Sequence, residues 1–523
     1  MNPQEIIFNI WARVRQKHLF PELPIPHVAE SEKKAAMEMK GKQIMVSTEF
    51  CEQLSEKMPM ESMVEALLDH GIAHYTRCPW DFGTHLRLHT AAKSVLHDKE
   101  MAQRATDTFI DVVSDTSCVK ERETPLPELY RSLEKGKLDR VIAALYSKIW
   151  GIDLESPADE ALVRRLSRIP YLKREDWAES LQRFSRLIRP LLEEEQQQED
   201  GISQPPLGQH GLEGYSQDEI DQGLRDFAQS AQSLEEFRQT VNDFADELGD
   251  MGYAPEENMG RGKGKAIDAD VLYYMKLAES YHLPVKKVPL EKSGSLDPHA
   301  HTPWELGKPF KDVDIWTSFG KIMPGLTQTW TRREGEIFGR REGTPDCVIV
   351  IDSSGSMTDP RRQLSHAVLG AGCASEAYLR YGSKVAVYNF SDAQMGGKLL
   401  LDFGTDRKQI YHVLCRYFGG GTNLALEELD LLHRKGQKMT PDIFLITDMQ
   451  ITNLESVIGY LSTLQSRITA VHIGENSSAS QFKAATSKWK NISVFPIVQR
   501  QDIPKIILGQ VREYLKTRVF DRK

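Results

Sequence analysis

The chain of 523 residues has only six cysteines, Cys51, Cys78, Cys118, Cys347, Cys373 and Cys415, scattered and without a CxxC pair. That pattern argues against a disulfide framework and suits a reducing compartment. Long apolar runs are missing as well. Cys347–Ile351 and Ile443–Ile446 are among the longest, far too short to cross a bilayer, so no membrane insertion is expected. The opening MNPQEIIFNIWARVRQKHLF lacks a basic start, an apolar core and a small-residue cleavage site, so no signal peptide is read and the expected address is the cytoplasm. No GxxxxGK[ST] phosphate loop occurs, so ATP hydrolysis is not expected of this chain. No segment combines concentrated basic charge with aromatic residues. RGKGK at Arg261–Lys265 is short and reads as a solvated loop, and no nucleic-acid partner is expected.

What charge there is lies unevenly. The net charge is −9, yet between Glu193 and Glu257 there are 18 acidic residues against Arg225 and Arg238 alone. Three regions follow from composition: 1–190, mostly helical (Met60–Arg77, Thr84–Val112, Glu160–Leu166); 191–343; and 344–523. The middle region opens with EEEQQQEDGISQPPLGQHG, a polar linker that reads as disordered. A helix then starts at Ser216, which has capping-box spacing to Glu219. Ile220, Leu224, Phe227, Ala231, Leu234, Val241, Phe244 and Leu248 make one apolar stripe on it, suited either to docking on its own chain or to binding a partner. Leu283–Gly343, rich in Pro and Gly and carrying Trp304, Trp316 and Trp330, reads as irregular β-structure packing beside the last domain.

From Thr344 the pattern alternates. Strands CVIVI, KVAVYNF, KLLLDF, IFLIT, RITAVHI and ISVFPIV are interleaved with helices at Arg361–Leu379, Arg407–Tyr417, Asn423–His433, Leu454–Leu464 and Ile503–Lys516. The fold class is therefore α/β: a doubly wound, mainly parallel C-terminal sheet, a mostly helical N-terminal domain and an irregular middle. Ligands of such sheets bind at the carboxyl ends of strands near a switch point. There CVIVI runs into Asp352-Ser353-Ser354-Gly355-Ser356, whose alternate positions Asp352, Ser354 and Ser356 turn to one side of a tight loop. Gly420 and Gly421 bring Thr422 to a second loop tip, and IFLIT ends in Asp448. All five offer hard oxygen, which selects Mg²⁺, Mn²⁺ or Ca²⁺ over zinc and leaves room for water and one outside ligand. An Asp or Glu of a protein partner would complete the octahedron.

DxSxS, GGGT and a strand-terminal Asp together resemble the metal-ion-dependent adhesion site of von Willebrand factor A-type (VWA-type) domains, over roughly the last 180 residues. The resemblance implies a protein-binding module holding Mg²⁺, with the serines and Thr422 direct ligands and Asp448 often acting through water. It also implies that the chain works with a separate MoxR-type AAA+ ATPase as client-selecting adaptor. A magnesium-chelatase-like subunit is a further member of that class.

A second candidate lies in Met60–Arg77. His70 and His74, four apart, point to one side of a helix and suit zinc. A downstream helix carries Asp107, Asp111 and Asp115 at i, i+4 and i+8, and Asp111 or Asp115 is the favoured third ligand. The arrangement over Phe20–Cys118 resembles a metallopeptidase-like (zincin-like) domain found ahead of VWA-like domains. The glutamate of HExxH, the general base, is however Gly71 here, and Asp69 is one position too early. No catalytic residue is assigned. The alternatives are a non-catalytic metal site, ordinary packing histidines, or a zinc metallopeptidase regulated by the VWA domain. His85, His89 and His97 are read as surface or packing histidines.

Overall fold

The structure is a computed structural model. It describes residues 3–29, 36–133, 135–198, 202–203, 205–208, 210–253, 268–289, 298–307, 310, 313–318, 320, 322–332, 342–436 and 440–510. The RGKGK motif and the last part of the helix expected at Ile503–Lys516 lie outside these residues. The chain is α/β and forms two compact units, Met1–Ser280 and Tyr281–Lys523. Composition drew its boundaries at 190 and 343. In the structure the acidic segment up to Ser280 belongs to the first unit. Among the described residues no helix is long and apolar enough to cross a membrane.

The first unit is helical around α1 (Met60–Thr76), α2 (Phe82–Leu96), α3 (Lys99–Glu121) and α4 (Trp177–Gln196). Helix α1 is buried continuously from Met63 to His74, and its buried polar residues Glu65, Asp69, His70 and His74 each have a partner. The span read as one helix, Thr84–Val112, is two. His97 takes a left-handed conformation (φ 62°), and Asp98 caps α3 by accepting from Met101 N at 2.9 Å. A small sheet of β1 (His27–Ala29), β2 (Met37–Lys40) and β3 (Gln43–Ser47), in the order β1-β3-β2, lies on α1.

The acidic helix is also divided. The capping box at Ser216 and Glu219 starts α5 (Gln217–Ser230), and Ser233 caps a new start, α6 (Leu234–Asp243). The stripe residues Ile220, Leu224, Phe227, Leu234, Val241, Phe244 and Leu248 are buried within the unit, with Phe244 packed edge-on against Phe82, His85 and His89. Of the two uses open to this stripe, docking on its own chain is the one realised. The preceding linker also differs from its reading. Its described residues Glu195, Leu207 and His210 are buried, so a segment polar on average packs through a few side chains.

The second unit is built on a six-stranded sheet: β4 (Cys347–Asp352), β5 (Val385–Phe390), β6 (Lys398–Gly404), β7 (Asp442–Thr447), β8 (Ile468–Ile473) and β9 (Ile492–Ile497). The order is β6-β5-β4-β7-β8-β9, all parallel except the edge strand β6. Strands β4, β5, β7 and β8 are near-continuous apolar runs because helices cover both faces. Val348, Val350 and Leu445 join one cluster with Leu429, Val457 and Phe482 of helices on one side. On the other, helix α7 (His366–Arg380) packs on β4 and β7.

Three details differ from the sequence reading. Helix α7 starts only at the Ser365 cap, not at Arg361. Helix α8 (Ser477–Thr486), between β8 and β9, was not anticipated, since only Ala479, Phe482 and Thr486 of it are buried. Of the described part of Ile503–Lys516, Ile503–Lys505 close a 3₁₀ turn, Arg500–Lys505, with Pro504 inside it, and the rest up to Gln510 is not helical. Ahead of the main sheet, Pro298–Pro303, Val313–Asp314 and Gln328–Arg332 form the small β-structure expected there. Trp304 is buried in it, and Trp316 is 94% exposed.

Candidate functional sites

The chain leaves β4 outward through β5 to β6, then crosses back to β7, so the strand order reverses at the β4 position. Ligands gather at the carboxyl ends of strands beside such a reversal. Asp352 ends β4 and sits in register with Phe390 of β5, and Asp448 follows β7 directly. The loops are joined by backbone hydrogen bonds. Gly355 N donates to Gly420 O at 2.9 Å, Gly419 N to Ser353 O at 2.9 Å, and Thr452 N to Thr422 O at 2.9 Å. A Cβ at Gly355 would stand 3.0 Å from Gly420 O, so glycine is what lets the Asp352 and Thr422 loops meet.

Within this frame one Asp352 oxygen accepts from Ser354 N at 2.8 Å and the other from Thr447 Oγ1 at 2.6 Å. Ser354 and Ser356 hydroxyls are 3.3 Å apart. Asp352, Ser354, Thr422 and Asp448 are buried, and Ser356 is exposed at the mouth. Burial chiefly raises the Asp352 pKa, and the charge of Asp448 adds to the rise. Two buried carboxylates of one sign with hydroxyls beside them fit a hard divalent cation, which would lower the energy of both. Thr447 was not singled out from the sequence. Its only signal is that it precedes Asp448.

The second candidate forms where α1 faces α3. His70 Nε2 and His74 Nε2 are 3.0 Å apart. Asp111 Oδ1 lies 3.8 Å from the first and 3.6 Å from the second, and the three residues form one buried group of metal-ligand type. Asp115, offered with Asp111 as a third ligand, stands behind instead. It accepts from His70 Nδ1 at 2.7 Å and from Tyr130 OH at 2.6 Å, because i+8 on α3 lies one turn past the imidazole tips. The His74 Nδ1 atom donates to Cys78 O at 3.0 Å, with Ser114 Oγ on the same carbonyl at 2.8 Å.

A residue not picked from the sequence adjoins the cluster. His210 places Nε2 2.8 Å from Asp111 Oδ1, with its ring centroid 4.1 Å from that of His74. It is 99 residues from Asp111 in a stretch with no periodicity, so nothing in the spacing marks it. Asp107, one turn before Asp111, has no hydrogen-bond partner on either buried oxygen, and burial pushes its pKa up to about 7. Burial opposes charge on His70, but Asp115 and Asp111 outweigh it and raise its pKa. Burial, then His210 and His70, hold His74 well below its usual value.

Gly71 is fully enclosed. A Cβ there would meet Met37 Sδ at 2.9 Å and Ile44 Cδ1 at 3.0 Å, both on the small sheet. The position that carries the base in HExxH is thus turned into apolar packing. Asp69 is no substitute, since it is buried and paired with His18 Nε2 at 2.9 Å. His85 and His89 are packing residues. His85 Nδ1 contacts Tyr215 OH at 3.2 Å, and His89 Nε2 contacts Asp243 Oδ2 at 2.9 Å.

No protein-family model and no curated protein matches the chain. Among solved structures it is similar to the crystal structure of the SpRpn10 VWA domain, at 15% identity and a TM-score of 0.24, over 31% of this chain and 93% of that one.

Proposed function

We propose that this chain is a divalent-cation-dependent protein-binding adaptor, its Mg²⁺ (or Mn²⁺ or Ca²⁺) held by Asp352, Ser354, Ser356, Thr422 and Asp448. The observation that carries this reading is the joining of three loops at the sheet's switch point, where two buried carboxylates, Asp352 and Asp448, lie close enough for one to raise the other's pKa. Oxygen donors alone, without His or Cys, select a hard cation. With Ser356 exposed at the mouth, the open coordination position suits a carboxylate from a partner protein. By the VWA resemblance the chain selects clients for a separate MoxR-type AAA+ ATPase, which supplies the ATP hydrolysis that this sequence lacks a phosphate loop to perform.

The alternative of a zinc metallopeptidase is weaker on chemical grounds. It needs a base beside the metal water, and Gly71 faces Met37 and Ile44 instead. The adaptor reading is tested by titrating Mg²⁺ calorimetrically into the full chain and into Asp352→Ala, with circular dichroism to check folding. One Mg²⁺ site lost in the variant is expected, together with co-precipitation of a MoxR-type ATPase that chelator abolishes. Unchanged Mg²⁺ binding in a folded Asp352→Ala, or ATPase capture in excess chelator, overturns it.

A further inference from the structure

We propose that His70, His74, Asp111 and His210 bind a single zinc ion in a closed, four-ligand structural site, and that His210 is the ligand that closes it. The inference is independent of the cation site in the second unit.

It starts from a count of protons. The Nδ1 atom of His70 faces a carboxylate oxygen of Asp115, and Nδ1 of His74 faces the carbonyl of Cys78. A carboxylate oxygen and a backbone carbonyl accept in these contacts, so each Nδ1 carries the proton. In the neutral rings both Nε2 atoms then present lone pairs, 3.0 Å apart in a buried site. Two lone pairs cannot satisfy each other, so a positive species lies between them, either a proton carried by His70 or a metal ion in its place. Histidines oriented through the other ring nitrogen by a carboxylate or a carbonyl are what zinc sites use to fix ligand tautomers. Here the support goes one shell deeper, because Tyr130 OH holds Asp115 at 2.6 Å and Ser114 Oγ holds the Cys78 carbonyl at 2.8 Å.

Spacing points the same way. A tetrahedron with metal–ligand bonds of about 2.05 Å has edges of about 3.3 Å. Four of the six separations among these donors are 2.8, 3.0, 3.6 and 3.8 Å, on both sides of that value; His210 stands outside the group of three whose ligand atoms all lie within 4.8 Å of one another, so its ring would swing inward to close the site. Three imidazoles and one carboxylate are a zinc donor set, unlike the all-oxygen set of the other site. A narrow cleft lined by Met39, Tyr75, Trp80 and Tyr215 reaches His74 and His210, giving an ion a way in.

The fourth ligand decides the role. Three protein ligands leave zinc a position for a reactive water, and four fill it. His210 comes from the connection between α4 and α5, so the ion would tie that connection to α1 and α3. It would do so where Gly71 supplies no base for water chemistry.

The test uses the full chain, purified and then loaded with zinc or with cobalt(II) as a spectroscopic replacement, for wild type, His210→Ala and His210→Cys. Wild type is expected to hold one equivalent of zinc and to give the strong visible absorption of four-coordinate cobalt. His210→Ala should weaken zinc retention against a competing chelator by more than the roughly 100-fold that loss of an outer-shell partner costs, with a weaker cobalt spectrum. His210→Cys should keep the metal and add a sulfur-to-cobalt charge-transfer band, a result open even if the alanine variant fails to fold. Wild type that takes up neither metal overturns the site. Unchanged affinity and spectrum in His210→Ala, or metal-loaded His210→Cys without the sulfur band, overturns the part assigned to His210.

Discussion

Thr447 Oγ1 donates to Asp352 at 2.6 Å and at the same time accepts from Met449 N at 3.0 Å. One hydroxyl thus joins the carboxyl ends of the two central strands and aims the carboxylate of the proposed cation site. Thr447→Val keeps the shape and removes the donor. Loss of such an outer partner is expected to weaken Mg²⁺ binding by about 10- to 100-fold, and to lower stability by about 1–3 kcal/mol through the buried acceptor left unpaired. Calorimetric Mg²⁺ titration and thermal unfolding check both.

Gly71→Glu is the substitution that the sequence pattern suggests for regaining a peptidase base. The Cβ contacts of 2.9 Å to Met37 Sδ and 3.0 Å to Ile44 Cδ1 predict a different result. The variant should lose about 1–3 kcal/mol to overpacking, measured by urea unfolding, and digest no casein with zinc present. A stable variant that cleaves casein would reverse this assignment of the helix face.

Partly buried Arg467 and buried Asp442 pair at 2.5 Å at the start of the sheet, with Tyr378 OH on the same carboxylate at 2.7 Å. Burial raises the Asp442 pKa, and Arg467 pulls it back down. Removing the cation strands a buried carboxylate, so Arg467→Met should destabilise the second unit by about 3–5 kcal/mol. Scanning calorimetry on the full chain tests this, with Arg467→Met/Asp442→Asn expected to recover part of the loss.

Acid should weaken the first unit partly through His85. Burial, then the charges of His210 and His89, push its pKa from about 6.5 down to about 3. The folded state therefore binds fewer protons than the unfolded chain between these values. The stabilising contribution is complete above about pH 6.5 and is lost as pH falls toward about 3. His85→Phe keeps a ring between Phe82 and Phe244 and removes the titration. Its stability, measured by urea unfolding from pH 7 to pH 4, should fall less steeply than that of wild type.

Much of the second unit was legible because its signals are local. Strands such as Cys347–Asp352 and Asp442–Thr447 are unbroken apolar runs, and DxSxS sits on the end of one of them. Helix α8 escaped because three buried residues make no clear period. In the first unit the pair His70 and His74 was legible from its i, i+4 spacing, and Asp111 from the stripe on α3. Which acid faces the imidazole tips and which stands behind depends on how α3 lies against α1, and no spacing along one helix contains that.

By itself, then, the sequence determined the alternating strands and helices, the order of oxygen donors from Asp352 to Asp448, and the helix that pairs two histidines. These follow from periods of 2 and 3.6 residues and from turn chemistry, all short in range. Only the tertiary structure decided that Thr447 orients Asp352, that Gly71 is enclosed by Met37 and Ile44, and that His210 reaches Asp111 across 99 residues. Each of those depends on which distant segments bury their apolar surface together, and burial is a property of the packed chain rather than of any window along it.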